Sequence, residues 1–541
     1  MLHSRTPATV GIATAVVYFL LGTAWAFSSP IYSIPDEYAH AVKAAAVVRG
    51  DILPTSRTIG ERVLAPSWLD STSWNCFAAW TAVTADCQAK MSDSTSLTTQ
   101  TTTAGRNSPF YYSLLGWPTL LLAGPSALYV QREMTVLLSA FLLGLAAWSA
   151  SAIPRSGRVL LALGIAMTPM TVYLMGGVNP QAPEVAAAAG VWISGWALLQ
   201  SQRKFDSGAL SRFAVSAFAL ALCRSLSVLW LALIVGSLLV GFARAPHWAM
   251  LRDSAYAKMC AGFVLLAALA QTVWVATTGA LVQSLLGVHM STSKAIVTSM
   301  SHQFSWLVET IGWFGSRDTT AWPPVYLVWS VSVTCLALTA LLLGSRRERL
   351  ALVLVMAGSM AIPTIAEVAT REQTGFAWQG RYTLPLSIGI VLMSGMIASR
   401  RFRSIVDERS WDRIARYVVV PVVGAAHFFA WGSAIKRYYV GVYSSFPFGD
   451  YDVRWAPPGG VWTWVFIMGF SCCALTIWLR WASTANEDDL ALAVPSQTEL
   501  QSLPRPISTV SEPGPHPVAE SNRIFTPHHH AVSPRNIDDA N

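Results

Sequence analysis

The sequence predicts an all-α, polytopic membrane protein of about twelve transmembrane helices. Three observations carry that expectation. Of the 541 residues, 53% are hydrophobic and 12% charged, where a soluble domain carries about 25% charge. Apolar runs of about 20 residues recur along the chain, each long enough to cross about 30 Å of hydrocarbon. Arg and Lys collect in short clusters between the runs, which sets the sense of each crossing. The 23 Trp residues suit side chains placed at membrane interfaces.

The first apolar run covers residues 9–27, after Arg5. The small residues Ala24 and Ala26 would serve a cleavable signal peptide, but an anchor that keeps the next residues close to the membrane fits the remaining pattern better. Further spans are expected at 131–151, 158–176, 182–200, 209–223, 226–242, 257–279, 322–344, 350–366, 383–399, 414–435 and 461–480. The stretch 209–242 must hold two short passes, because Arg212 and Arg244 both read as cytoplasmic with Arg224 at the outer turn. Pro118 and Pro125 bracket an interfacial or re-entrant segment within 110–125.

With the N-terminus in the cytoplasm, the clusters Arg155 and Arg158; Arg203, Lys204 and Arg212; Arg346, Arg347 and Arg349; and Arg400, Arg401 and Arg403 all fall inside. An even number of spans puts the C-terminus inside too. The net charge of +8 therefore reflects orientation. No folded basic face for nucleic acid is visible. Residues 1–480 form one transmembrane domain with large outer loops at 29–130 and 281–321 and smaller ones at 367–382 and 436–460. Residues 481–541, with Glu487, Asp488, Asp489, many Pro and Ser and the run His528-His529-His530, read as a disordered cytoplasmic tail. So much mass on the outer side suits an enzyme that opens outward in the plasma membrane.

Cys223, Cys260, Cys335, Cys472 and Cys473 lie in or beside apolar runs and read as small apolar side chains. Cys76 and Cys87 share a polar outer loop and are candidates for a disulfide. No Cys/His spacing resembles a zinc site. There is no Walker A sequence or dinucleotide fingerprint, no Gly-x-Ser-x-Gly elbow, and no inner loop long enough to bind a nucleotide sugar.

Three stretches at outer span ends carry chemistry. In Pro35-Asp36-Glu37-Tyr38-Ala39-His40, Asp36 could cap a helix through its carboxylate. It could equally accept a proton from a hydroxyl, or hold a divalent cation such as magnesium or manganese against a lipid phosphate. Glu37 is its acidic neighbour, and His40, four residues on, shares its helix face. In Asn179-Pro180-Gln181-Ala182-Pro183-Glu184, Asn179 can cap a helix and Glu184 needs a cation, with Arg224 or Arg381 as candidates. In Gln379-Gly380-Arg381-Tyr382, the Arg381 fork suits a phosphate, with Gln379 and Tyr382 beside it. Lys436 and Arg437 are weaker phosphate candidates, and His302 and Glu309 are candidates for an acceptor site.

Together these stretches resemble the actinobacterial and wider bacterial DUF2142 family of predicted membrane proteins, over roughly residues 10–480. That family is similar to the GT-C superfamily of membrane glycosyltransferases, which implies a GT-C-like fold, a polyprenyl-phosphate sugar donor and an acidic residue in the first outer loop as base or metal ligand. Asp36 matches that place. The resemblance leads to a hexosyl- or pentosyltransferase that moves a sugar from a polyprenyl-phosphate donor to an envelope glycan or lipid acceptor. The competing readings are a transporter or flippase of an envelope lipid or glycan precursor, and a non-catalytic partner in envelope synthesis.

Overall fold

The computed structural model describes residues 6–53, 60–70, 76–153, 157–201, 204–281, 287–401, 413–443 and 455–484. Arg155, Arg203 and Arg403 of the expected inner clusters, and the expected tail beyond 484, lie outside them.

The described chain is mostly helical with almost no sheet. Helix α1 (Pro7–Ser28) starts on Thr6, whose Oγ1 accepts from the Thr9 N–H at 3.3 Å. It packs lengthwise on α5 (Gly124–Ser151); its buried residues, Tyr18, Leu21 and Trp25 among them, are integral to the bundle core. Between the two lie α2 (Glu37–Val47), a hairpin of β1 (Glu61–Pro66) and β2 (Leu97–Thr102), and the short helices α3 (Pro109–Leu115) and α4 (Pro118–Leu121). The α3–α4 segment exposes Phe110, Leu114, Trp117, Leu120 and Leu121, the apolar face expected of an interfacial piece.

Helices α6 (Gly157–Ala166) and α7 (Pro169–Met175) are bent by 70° to one another. One straight span was expected there. Pro169 lacks an N–H and breaks the ladder, and Thr168 caps the new helix while donating to Thr310 O at 2.7 Å. Helix α8 (Gln181–Leu198) is buried along nearly its whole length, between α5, α9 (Ser207–Cys223), α10 (Ser227–Phe242) and α17 (Leu384–Arg401). Its run Ala186–Gly190 has the small side chains that let helices approach closely. Farther out are α11 (Ala245–Asp253), α12 (Ala255–Thr278), α13 (Thr292–Ser301), α14 (Gln303–Gly312), α15 (Pro323–Leu343) and α16 (Arg346–Thr374). A short hairpin, β3 (Trp313–Phe314) with β4 (Thr319–Thr320), precedes α15. After a π turn come α18 (Val420–Val440) and finally α19 (Val461–Thr484).

Eight described helices are long and apolar enough to cross a membrane, or nine if the α6–α7 pair counts as one span. The remaining expected spans correspond to α8 and to the short apolar helices α9 and α10. Two boundaries differ from expectation. Helix α16 continues through Pro363 to Thr374, so the first half of the expected loop 367–382 is helical; Gln303 of α14 donates to Met360 O near the proline at 2.9 Å. Helix α18 runs to Val440 and takes in Lys436 and Arg437, which were expected in a loop.

The cationic connections gather at one end of the bundle. Arg347 donates to Leu239, Val240 and Ala243 carbonyls at the end of α10, and Glu348 pairs with Arg400 and Arg401. The three chemistry-bearing stretches meet at the other end.

Candidate active site

Asp36 opens α2 with φ 61° and ψ 5°. A left-handed backbone is uncommon for a residue with a side chain and is enriched for Asp and Asn. The carboxylate makes no capping bond. It turns away from its own helix and accepts from Arg381 Nη2 at 2.7 Å. This pairing spans 345 residues of chain. Burial pushes the Asp36 carboxyl up, but Arg381, with His40 and Arg224 behind it, more than offsets this and holds it below its ordinary value. The side chain remains 46% exposed, so deep placement and solvent access coexist.

The Arg381 guanidinium is itself buried and well tied: Nε donates to Gln379 Oε1 at 2.7 Å and Nη1 to Gln181 Oε1 at 3.1 Å. Gln181 returns a bond to Arg381 O at 2.6 Å. The motif needs Gly380, because a Cβ there would come within 2.0 Å of Trp306 O. Asn179 accepts from the Gln181 N–H at 2.9 Å and donates to Pro35 O at 2.9 Å, which fixes the turn that carries Asp36.

Arg224, at the short turn between α9 and α10, is the more accessible cation. Its Nη1 lies 3.6 Å from Glu184 Oε2, and 26% of its side chain is exposed. Glu184 takes Arg224 as its partner, not Arg381, and accepts from Ser227 Oγ at 2.7 Å. The Arg224 and Arg381 guanidinium carbons lie 4.8 and 5.0 Å from the centre of the Tyr382 ring, so one aromatic ring supports two cations.

His40 is buried, with Nδ1 2.8 Å from the Tyr112 hydroxyl. Asn107 Nδ2 donates to that same hydroxyl at 2.8 Å. The tyrosine proton is then free to point at Nδ1, which makes His40 the neutral acceptor. Burial, helped by Arg224 and Arg381 and opposed by Asp36, pushes His40 down to about 3.

Glu37 stands apart from this group. It is buried and receives Nε and Nη2 of Arg132, each at 2.6 Å, with the Tyr32 and Val178 N–H groups at 2.9 and 3.1 Å. Arg132 also binds the carbonyls of Ala26, Ser29 and Pro30. This closed cluster clamps the end of α1 to α5 and leaves Glu37 no open oxygen for substrate.

A cavity of about 420 Å³ lies beside the site. Arg224, Asn107, Glu367 and Thr370 are among its polar lining residues, and Leu226 and Leu281 among its apolar ones. Glu367 was not singled out in the sequence; an acid at the end of the apolar run 350–366 was its signal. Its Oε1 accepts from the Trp378 N–H at 3.1 Å. Its Oε2 lies 3.7 Å from His302 Nδ1, with Ser299 alongside, and makes no hydrogen bond of normal geometry. His302 thus stands at the cavity's edge. Glu309 is tied to Arg317 at 2.8 Å and to the Gly380 N–H.

Among the described residues, no three His, Cys, Asp or Glu side chains gather as a metal site. Glu37 and Glu184 each face an arginine. Cys76 and Cys87 are joined in a disulfide. The loop they close binds Arg437 of α18 through the Phe77, Trp80 and Val83 carbonyls.

The sequence pattern of predicted membrane proteins known as DUF2142 matches residues 19–390, well over half of the chain. The chain belongs to the DUF2142 family. That span carries Asp36, Asn179, Glu184, Arg224 and Arg381. Among curated proteins no sequence relative matches. Solved structures similar to this DUF2142 protein include ArnT from Cupriavidus metallidurans in the apo state, at 12% identity and TM-score 0.42 over 88% of this chain and 76% of ArnT. ArnT bound to undecaprenyl phosphate gives 13% and 0.38 over 89% and 77%. The arabinofuranosyltransferase AftD from Mycobacteria gives 16% and 0.39 over 80% of this chain and 27% of AftD.

Proposed function

We propose that this DUF2142 protein is a membrane glycosyltransferase that moves a sugar from a polyprenyl-phosphate donor to an envelope acceptor hydroxyl on the extracytoplasmic side. The observation that carries this reading is the meeting of Asp36, Arg381 and Arg224 beside a cavity lined by both polar and apolar side chains, at the bundle end opposite the arginine-rich connections. The twelve apolar segments are spans in this reading. Cationic connections on the cytoplasmic side leave the site facing outward.

The donor phosphate sits against Arg224, whose single carboxylate partner at 3.6 Å leaves donors available. Its tail leaves along Leu226 and Leu281. The acceptor hydroxyl lies against Asp36. The new bond joins the acceptor oxygen to the anomeric carbon, and the bond from that carbon to the phosphate oxygen breaks. The electron pair leaves with the polyprenyl phosphate, whose second negative charge Arg224 stabilises, and the hydroxyl proton passes to Asp36. In its resting pair with Arg381, Asp36 is a weak base. Phosphate binding draws the arginine field away from it and restores its basicity. Glu37 acts here as scaffold, and no step is assigned to a divalent cation.

The test is transfer of labelled sugar from polyprenyl-phosphoryl donors to envelope glycolipid by the purified protein and by Asp36→Asn. Equal rates for the two would remove Asp36 from the chemistry, and an absence of transfer by the parent with every donor would end the reading.

A further inference from the structure

A second cavity, of about 610 Å³, shares no lining residue with the first. It lies between the start of α15 and the last turns of α18, under the hairpin β3–β4. Asp318, Trp322, Phe429, Ser433 and Lys436 are in its wall. Its charges are unequal in availability. Asp318 is closed by Arg437 at 3.1 Å and by the Ala79 N–H at 3.2 Å, and Arg437 spends its Nη1 and Nη2 groups on that carboxylate and on the carbonyls of the disulfide loop, leaving its buried Nε without a hydrogen-bond partner. Lys436 has among the described residues one partner, Val442 O at 3.2 Å, although an ammonium carries three donors. Among the described residues the cavity therefore presents one positive charge, Lys436, without a carboxylate partner.

The rim is apolar and faces outward. Trp322 is 52% exposed and Phe429 46%, with their rings 5.2 Å apart. They stand where the 21-residue apolar helix α15 begins, the level at which aromatic side chains mark the boundary between headgroups and hydrocarbon. A lysine that reaches past such a rim meets lipid phosphate.

We propose that this cavity is a binding site for an anionic phospholipid, with the phosphodiester on Lys436 and the first acyl carbons against Trp322 and Phe429. The site is separate from the donor cavity and does not depend on the glycosyltransferase reading. An occupied site would brace the hairpin β3–β4 and the disulfide loop, both of which meet at Asp318 and Arg437.

The experiment is native mass spectrometry of the full chain in detergent, titrated with an equal mixture of dioleoylphosphatidylglycerol and dioleoylphosphatidylcholine. One basic residue near a lipid surface predicts about fivefold preference for the anionic lipid in the most tightly retained adduct. Lys436→Gln should abolish that preference, Lys436→Arg should keep it, and Trp322→Ala should weaken retention of both lipids. Circular-dichroism melts matching the parent would show that the variants fold. The same preference in Lys436→Gln overturns the proposal. So does displacement of the retained lipid by millimolar inorganic phosphate, which would mark a site for soluble phosphate.

Discussion

Two ion pairs at the same end of the bundle begin from adjacent residues, Asp36 and Glu37. Glu37 faces Arg132 with neither side chain more than 1% exposed, and both carboxylate oxygens are fully used by four N–H donors. Asp36 has one donor from Arg381, keeps almost half its side chain accessible and adopts a backbone that most residues avoid. The first pair is a clamp, and the second, in the proposed mechanism, exchanges partners. Full satisfaction makes a buried carboxylate structural, whereas an incompletely satisfied one, beside a cavity and a second cation, can take a substrate proton.

Breaking the clamp should have the largest effect. Glu37→Gln leaves Arg132 buried without its counter-charge, which costs about 3–5 kcal/mol. The expected result is a sharp fall in detergent-solubilised melting temperature and in yield, with transfer lost in proportion to folded protein. Asp36→Asn should do the reverse. Its side chain is 46% exposed, so solvent offsets much of the lost charge, and its amide oxygen can still accept from Arg381; melting should therefore fall far less than in Glu37→Gln while kcat falls about 10²–10⁴-fold, the range for loss of a proton acceptor. If the two variants behaved alike in the melt, the distinction drawn between the pairs would fail.

Arg224→Gln should come next. Losing a charged donor to phosphate costs about 10–100-fold in KM for the polyprenyl-phosphoryl donor, with a smaller change in kcat. Glu184 would lose its cation but keep Ser227. An unchanged KM would move the phosphate elsewhere in the cavity.

These contrasts were only partly readable from the sequence. The run of apolar segments and the positions of Asp36, Glu184 and Arg381 at span ends follow from local pattern, so the membrane fold and the site's members could be named. The pairing could not. Arg132 lies within the start of an apolar run and carries no local sign that it reaches back to Glu37 across 95 residues. Glu184 had two candidate cations, and only tertiary packing chose Arg224. Glu367 was counted into the loop 367–382, yet the helix continues through Pro363 and carries the acid to the cavity wall. Hydropathy reports which segments are buried, but it contains nothing about which buried charges meet.

The smallest expected effect concerns His40, and its sign separates it from Asp36. The folded protein holds His40 near 3, while the unfolded chain titrates near 6.5. Between those values the unfolded state binds a proton that the native site excludes, so stability rises with pH and is lost as pH falls below about 6.5. Asp36 is shifted down from 3.8; its contribution is fully present above that value and disappears only as pH drops through its lower, folded pKa. Melting temperatures from pH 7 to pH 4 should therefore decline in the parent and in Asp36→Asn, and decline less in His40→Gln, whose amide can still accept from Tyr112. The charges facing His40 are Asp36, Arg224 and Arg381, so the residual slope in His40→Gln reports groups elsewhere. A slope identical in parent and His40→Gln would mean that the histidine is protonated in place, and that the Tyr112 hydroxyl does not lock it as a neutral acceptor beside Asp36.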